Sequence, residues 1–403
     1  MKKCVVLAAG EGKRMHPLTF TRPKVMLPVA GKPILEWNLL NAKKSGIKDF
    51  IFVVGYKSEM VRNYFGDGEN WDVNVDYVNQ GKPLGTAHAI SMVERFFDDD
   101  FLVMCGDTVF GSQDIKNMVK SESGVGLFEV ENPEGYGIVE TEDGCVVKIF
   151  EKMSDPFTNV INAGIYHFKQ KIFDYIKKTE KSARGEYEIT DSINMMASEK
   201  KVEAVMVKKW RDIGYPWDLL DANKELLSDL EKNVSGDVEK NVVLKKPVHV
   251  GADSKILSGS YIEGPVYIGK NCKIGPNCYI RPYTSIGDGC HVGGACEIKN
   301  SVVFNDSNVP HHNYVGDSII GSGCNLGSGT KIANLRLDKK NIKSVIDGKK
   351  LDTGRRKLGV IMGDNVQTGV NSMINVGCTV GNSVFIGPGS TVEGEIKTGS
   401  RLI

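Results

Sequence analysis

Apolar and polar positions follow two different periods, one before and one after about residue 220. In the first part, short apolar runs alternate with amphipathic stretches. "CVVLAAG" (4–10), "FIFVVGY" (50–56), "VDYVNQ" (75–80), "FLVMCGD" (101–107) and "VINAGIYHF" (160–168) predict strands, and "ILEWNLLNAKKSG" (34–46) and "GTAHAISMVERFF" (85–97) predict helices. Near-continuous apolar strands between helices predict a mostly parallel sheet covered on both faces, with ligands at the carboxyl ends of the strands. A helix over about 216–233, "PWDLLDANKELLSDLEKN", closes this part.

Beyond it the period is six. Val250, Ile256, Ile262, Ile268, Ile274, Ile280, Ile286, Val292 and Ile298 are evenly spaced, and the spacing resumes at Ile320, Leu326 and Ile332 and again at Met362, Thr368, Ile374, Val380, Ile386 and Val392. One short strand and one turn per repeat, three repeats to a coil, make a solenoid. Two segments break the period: "NVPHHNYVGDS" (308–318) and "NLRLDKKNIKSVIDGKKLDTGRRKLG" (334–359). Both are expected to leave the coil as loops, which in solenoids carry function.

Composition narrows the reading in two ways. Lys plus Arg number 51 against 50 Asp plus Glu, so no global field points to nucleic acid or an anionic membrane. Of nine cysteines, Cys272, Cys278, Cys290, Cys296, Cys324 and Cys378 all fall four residues after a repeat aliphatic. That slot is a small inward-facing filler position, and no CxxC pair occurs to hold zinc. The run after Met1-Lys2-Lys3 is too short for a secretory leader and reads as a buried first strand, and no segment approaches the roughly 20 apolar residues of a membrane span. A cytoplasmic protein is expected.

The chemistry begins in "LAAGEGKRMHPLTFTRPKVMLPVAGKP" (7–33). A dinucleotide fingerprint would need a third glycine where Met15 stands, and the Lys-Ser/Thr pair of a Walker loop is missing. What remains is a strand, a glycine turn, then Arg14 and Lys24 on a proline-punctuated loop that can surround a triphosphate.

The string "GEGKRMHPLTFTRPK" resembles the signature of sugar-1-phosphate nucleotidylyltransferases, G-x-G-x-R-x-x-P-L-T followed by P-K, and the resemblance extends across nearly the whole chain. It implies a Rossmann-like α/β domain that joins a nucleoside triphosphate, UTP or dTTP, to a sugar-1-phosphate and releases pyrophosphate. Ala9, Gly10, Gly12, Gln80, Gly85 and Thr86, the last three from "NQGKPLGTAHA", would bind the nucleotide. Asp107 of "CGD" and Asp212 of "WRDIG" would hold Mg2+. Gly137, Glu151, Lys152 and Asn162, from "YGIVE", "FEK" and "INAGIY", would bind the sugar phosphate. Arg14 would steady the leaving pyrophosphate, and Lys24 would neutralise the transferring phosphoryl group.

The repeat resembles the left-handed parallel β-helix of hexapeptide acyltransferases, which implies a homotrimer. "HHNYVGDS" followed by "GTKIANLRLDKKNIK" resembles the active site of bifunctional amino-sugar-1-phosphate enzymes, which acetylate glucosamine-1-phosphate with acetyl-CoA and uridylylate the product. By that pattern His311 is the base, with His312 a bystander. Tyr314, Asn334 and Lys340 contact substrate, and Arg281 of "CYIRP" and Lys299 of "CEIKN" bind phosphate. Two departures stand out: Gly369-Val370 where many bacterial members have Gly-Ser, and the basic stretch "KKLDTGRRK" (349–357).

The expected organisation is a nucleotidylyltransferase domain over 1–222, a linker helix region over 223–240 and an acetyltransferase β-helix over 241–403. The version with the basic insertion resembles the archaeal bifunctional sugar-1-phosphate nucleotidylyltransferase and acetyltransferase. Two alternatives stay open: a monofunctional glucose-1-phosphate or mannose-1-phosphate nucleotidylyltransferase with an inert β-helix, and a non-catalytic scaffold.

Overall fold

The computed structural model describes residues 3–402; Met1, Lys2 and Ile403 lie outside the described residues. By their contacts the residues form two units. The first holds the chain up to Glu11, Pro23–Met26 and Ile34–Asp212, and the second holds Gly12–Arg22, Leu27–Pro33 and the chain from Ile213 onward.

Along the chain the first strands are β1 (Lys3–Ala8), the short pair β2 (Pro28–Val29) and β3 (Lys32–Pro33), β4 (Asp49–Val54), β5 (Asn74–Asn79), β6 (Phe101–Cys105) and β7 (Thr108–Phe110). They are followed by β8 (Gly124–Glu129), β9 (Gly137–Glu142), β10 (Cys145–Glu151), β11 (Val160–Phe168), β12 (Glu203–Met206) and β13 (Trp210–Asp212). The pair β2–β3 belongs to the second unit. In the first unit the main sheet runs β5-β4-β1-β6-β11-β8-β12-β10-β9.

Its first four strands are parallel, with Lys3 opposite both Asp49 and Phe101. Alternation sends neighbours to opposite faces. Val5, Ile51 and Val103 enter one core, while Cys4, Val6, Phe50, Phe52, Leu102 and Met104 enter the other. Both faces are therefore covered, as the apolar runs require.

The far half departs from the expected parallel order. β11 is antiparallel to β6 and β8, and β10 is antiparallel to β9 and β12. For β9 and β10 the connection imposes the antiparallel pairing. Asp143 (φ +47) and Gly144 (φ +74) form a two-residue turn between β9 and β10, a link that only antiparallel neighbours can use. The helix Ile34–Lys44 follows its prediction, whereas Thr86–Ser91 stops early and passes into a 3-10 turn at Glu94–Phe96.

In the second unit the helix is Asp218–Ser228, shorter than its predicted span, and coil strands already begin at Asn233–Val234. The coils build three parallel sheets of nine, nine and eight strands among the described residues, a left-handed parallel β-helix. The repeat aliphatics and all six slot cysteines share one core.

The first expected interruption is not a loop. Ile268 pairs with Ile286, but Ile286 pairs with Val303 and Val303 with Ile320, each coil one residue shorter. The missing residues are lost at corners after Ile298 and Val315, which still carry a left-handed residue, Asn300 (φ +43) and Asp317 (φ +51), as the full-length corners do at Asn277 (φ +54) and Asp306 (φ +61). Asn308–Val309 and Tyr314–Gly316 stay paired within their sheets, so His311 sits on a corner of a regular coil.

The second interruption does leave the coil. Ile320 pairs directly with Met362 across it, and the excursion carries a hairpin, Lys343–Ile346 with Lys349–Asp352, turned by Asp347 (φ +49) and Gly348 (φ +75). Among the described residues no helix is long and apolar enough to cross a membrane.

Candidate functional site

The carboxyl end of β6 supplies the floor of the first site. Gly106 donates its N–H to Leu7 O at 2.9 Å, and a Cβ there would stand 2.7 Å from that oxygen, so glycine lets the two strand ends close up. Asp107 follows at once. β13 runs antiparallel to β7 with Asp212 opposite Thr108, which brings the second predicted carboxylate beside the first. Lys24 stands on a 3-10 turn, its side chain 8 % exposed, with Nζ 2.6 Å from Asp107 Oδ2. The thiol of Cys105 registers the gathering: burial raises its pKa, and so do the charges of Asp107, Asp212 and Glu151, against the opposing pull of Lys24.

Gly137 faces Glu151 across the β9–β10 ladder. A Cβ on Gly137 would come 3.3 Å from Glu151 Oε1 and 3.5 Å from Asn162 Cβ, so three of the predicted sugar contacts line one space that a larger residue would fill. Asn162 Nδ2 donates to Tyr166 Oη at 2.8 Å, and its Oδ1 accepts Gly164 N–H at 3.1 Å. The Glu151 carboxyl is pushed up, first by loss of water around it. Lys152 is exposed, with φ +52 and its N–H on Tyr136 O.

Gln80 lies buried just past β5, its Nε2 donating to Gly85 O at 3.1 Å. Gly85 has φ +113 and presses on the Tyr187 backbone, where a Cβ would stand 2.4 Å from the carbonyl oxygen. Thr86 Oγ1 accepts Ile189 N–H at 3.0 Å. Ala9 O accepts Tyr56 N–H at 3.1 Å, and the space beside Gly10 is open: among the described residues, a Cβ added there would meet no atom within 4 Å. Gly12 (φ +71) and Arg14 lie on the segment that packs within the second unit, where the Arg14 guanidinium sits 5.3 Å from the Tyr215 ring centroid.

The predicted metal can be judged by its donors. Mg2+ takes oxygen ligands and is commonly held by one or two carboxylates together with substrate phosphates. Asp107 and Asp212 supply two such oxygens side by side. Among the described residues no group of three or more His, Cys, Asp or Glu side chains is arranged to hold a metal, so the remaining ligands would come from substrate and water.

The second site forms on one sheet of the β-helix. Strand pairing sets Glu297 opposite both Tyr279 and Tyr314, and Lys299 opposite Gly316. Lys299 Nζ lies 3.2 Å from Asp317 Oδ2, an oxygen that also accepts from Asn334 Nδ2. Arg281 Nη1 donates to Glu297 Oε1 at 2.8 Å. Burial raises the Tyr314 phenol pKa, and the carboxylates of Glu297 and Asp317 raise it further.

Arg281, Lys299, Tyr314 and Asn334 are thus brought together, joined by Asp317 and Glu297, which the motifs did not single out. Asp317 stands within the quoted "HHNYVGDS" and Glu297 within the quoted "CEIKN", in the evenly spaced register that sets it opposite Tyr279, so both could have been found there. His311 is exposed on the preceding corner, its carbonyl accepting Gly329 N–H at 3.0 Å. It lies close enough to His291 to depress that ring's pKa, after burial and Lys273. Lys340 is exposed on the excursion, its N–H on Asp338 Oδ1.

Comparison with known proteins agrees with both halves. The nucleotidyl transferase family profile matches residues 3–229, and a GMPPB C-terminal domain profile matches 262–376. The bifunctional protein GlmU of Methanocaldococcus jannaschii is 40% identical over 396 residues, 98% of this chain and 95% of that protein. The chain belongs to the bifunctional sugar-1-phosphate nucleotidylyltransferase/acetyltransferase family. A protein of that full name from Sulfurisphaera tokodaii is 40% identical over 405 residues, covering 98% of each chain. A crystallised Bacillus anthracis protein assigned as a glucose-1-phosphate thymidylyltransferase is 30% identical with a TM-score of 0.53, covering 58% of this chain and 98% of its own. Both relatives that align end to end are named bifunctional, one of them for both activities, which does not favour the inert-tail and scaffold alternatives. This family member is an enzyme.

Proposed function

We propose that the chain N-acetylates glucosamine-1-phosphate with acetyl-CoA in its β-helix and joins UTP or dTTP to N-acetylglucosamine-1-phosphate or glucose-1-phosphate in its α/β part. Nucleotidyl transfer is assigned to the chain up to about residue 222, acetyl transfer to the solenoid from about 241, and 223–240 to the link between them. The observation that carries the first assignment is Lys24 Nζ at 2.6 Å from Asp107 at a strand end.

In nucleotidyl transfer a sugar-1-phosphate oxygen bonds to the α-phosphorus as the bond to the β-phosphate bridging oxygen breaks. The attacking phosphate is already ionised, so no base is needed; two anions must instead be brought together. Lys24 neutralises the transferring group and Arg14 the leaving pyrophosphate. Asp107 and Asp212 would hold Mg2+, which supplies Lewis-acid charge at the phosphate oxygens when bound. Gln80 and the Gly85 backbone read the pyrimidine, while Gly137, Glu151, Lys152 and Asn162 hold the sugar phosphate.

In acetyl transfer the sugar amine, protonated in solution, must lose a proton before it attacks the thioester. His311 takes that proton, the nitrogen bonds to the acetyl carbonyl carbon, and the C–S bond breaks so that CoA leaves and takes up a proton as the free thiol. Arg281 and Lys299 bind the substrate phosphate, which must compete with Glu297 and Asp317 for them. Tyr314, Asn334 and Lys340 contact sugar and CoA. A cytoplasmic homotrimer assembled through the β-helix completes the reading.

The test is thiol release from acetyl-CoA by the purified chain, with and without glucosamine-1-phosphate. Release that depends on the amine is the expected result. No release, from a protein that still joins UTP to a sugar-1-phosphate, would reduce the β-helix to a scaffold.

A further inference from the structure

We propose that Asp317, on a corner of the β-helix, is a positioning residue for acetyl transfer, holding Lys299 and Asn334 in the arrangement that receives the amino-sugar phosphate. The inference rests on the acetyl-transfer reading above, and every residue it uses lies in the second unit.

Three pieces of chain meet at Asp317. Its N–H donates to Lys299 O at 3.0 Å, and its own carbonyl accepts Gly359 N–H at 2.8 Å. Gly359 ends the excursion that Asn334 begins, and Leu358 N–H donates to Asn334 O at 3.1 Å, so both ends of the excursion close beside this corner. A Cβ on Gly359 would collide with Gly316 O and Ser318 Oγ, so glycine permits the closure. The Asp317 carboxylate is only 5 % exposed. Its Oδ1 accepts from Asn300 Nδ2 at 2.7 Å, and its Oδ2 takes both Asn334 Nδ2 and, at 3.2 Å, Lys299 Nζ.

A carboxylate can only accept, so Asn334 must turn its amide nitrogen to Asp317 and its Oδ1 away. The same nitrogen crowds Tyr314: a Cβ on Gly316 would stand 2.7 Å from Asn334 Nδ2 and 2.8 Å from Tyr314 Oη. A hydrogen bond from Asn334 also counters the rise in the Tyr314 pKa. With both amide hydrogens so engaged, Asn334 presents a carbonyl oxygen, which suits the N–H or O–H groups of an amino sugar. Lys299, 14 % exposed, gives one ammonium hydrogen to Asp317 and keeps two for a phosphate. Asp317 itself is too deeply covered to touch substrate. It neutralises a shielded cation and fixes two substrate-binding groups at once, and groups held in place beforehand gain rate.

The test uses the full-length chain with Asp317→Asn, with Lys299→Ala and Asn334→Ala as references, and with all three changes combined. Asn is at ease in the left-handed conformation of this corner (φ +51), so Asp317→Asn removes the charge and leaves the backbone. For each variant, kcat and KM for glucosamine-1-phosphate, KM for acetyl-CoA, nucleotidyl transfer and Tm are measured. Asp317→Asn is expected to lower kcat/KM for glucosamine-1-phosphate by about tenfold, the scale of a hydrogen bond to a charged group. KM for acetyl-CoA and nucleotidyl transfer should stay within about twofold. Added to the Lys299→Ala and Asn334→Ala pair, Asp317→Asn should cost less than about twofold more, because the residues it acts through are gone.

An unchanged kcat/KM in Asp317→Asn, beside weakened Lys299→Ala and Asn334→Ala, would overturn the inference and leave the acetyl-transfer reading standing. A loss of undiminished size in the combined variant would overturn it too, since Asp317 would then serve the coil rather than these two residues. So would a parallel loss of both activities with a lowered Tm. Absence of amine-dependent thiol release from the unaltered chain would remove the reading and the inference together.

Discussion

Glu151, proposed above as a sugar contact, shows what a partly desolvated carboxyl costs the fold. Its carboxyl faces Gly137 and lies 3.7 Å from Arg184, yet the loss of surrounding water outweighs that cation and pushes its pKa up. A raised carboxyl favours the neutral form in the folded state. Its contribution to stability is therefore full below the ordinary glutamate value of 4.5 and is lost as pH rises through the raised one. Glu151→Gln should leave Tm unchanged near pH 4 and raise it slightly at pH 8, while raising KM for the sugar phosphate. The gain is small because about a third of the side chain, 32 %, still meets water. Thermal scans of both proteins across that range check it; an equal Tm difference at both ends would rule out ionisation as the cause. The candidate residues of the first site were legible because "CGD", "FEK" and "INAGIY" match motifs of the nucleotidylyltransferases that the chain resembles. Arg184 and Tyr187 were not, because only the fold brings them to Glu151 and Gly85.

At the scale of the element, the hexapeptide slots decide the state of the thiols. Burial drives the pKa of Cys290 and Cys324 up to about 12 and that of Cys278 and Cys378 to about 11. These thiols stay protonated at ordinary pH, and the thiolate is the reactive form. At pH 8 the native chain should resist alkylation at all four, and each should label once the chain is unfolded in denaturant. Mass spectrometry of labelled peptides reads the result, and fast native labelling of any of the four would contradict the packing described. The period of six was legible since each coil repeats one short strand and turn. The two shortened coils were not: dropping a single corner residue shifts the sequence period while the ladders stay intact. The β9–β10 hairpin had its signal, the Asp-Gly of "TEDGCVV", but the neighbouring parallel pattern overrode it.

For the molecule as a whole, two sets of chemistry on one chain predict two separable losses. Lys24→Ala should lower nucleotidyl transfer by about 10²–10³-fold and leave acetyl transfer near wild type. His311→Ala should do the reverse, by about 10²–10⁴-fold. Both rates, measured on the same preparations, check the pair; a variant that loses both activities equally would reassign its residue to structure. The sequence carried both chemistries as local strings, but it did not carry the interleaving of the opening loop, whose stretches divide between the two units. That division sets an order of synthesis. At about 5–20 residues per second, the 342 residues between Arg22 and Asp364 take roughly 20–70 s to leave the ribosome. Through that interval the first parallel strands can pair and bury their faces, while the segment that bears Arg14 still waits for the coil that fastens it. The segment that bears Arg14, encoded near the start, is fastened last, when Thr21 and Arg22 meet Asp364.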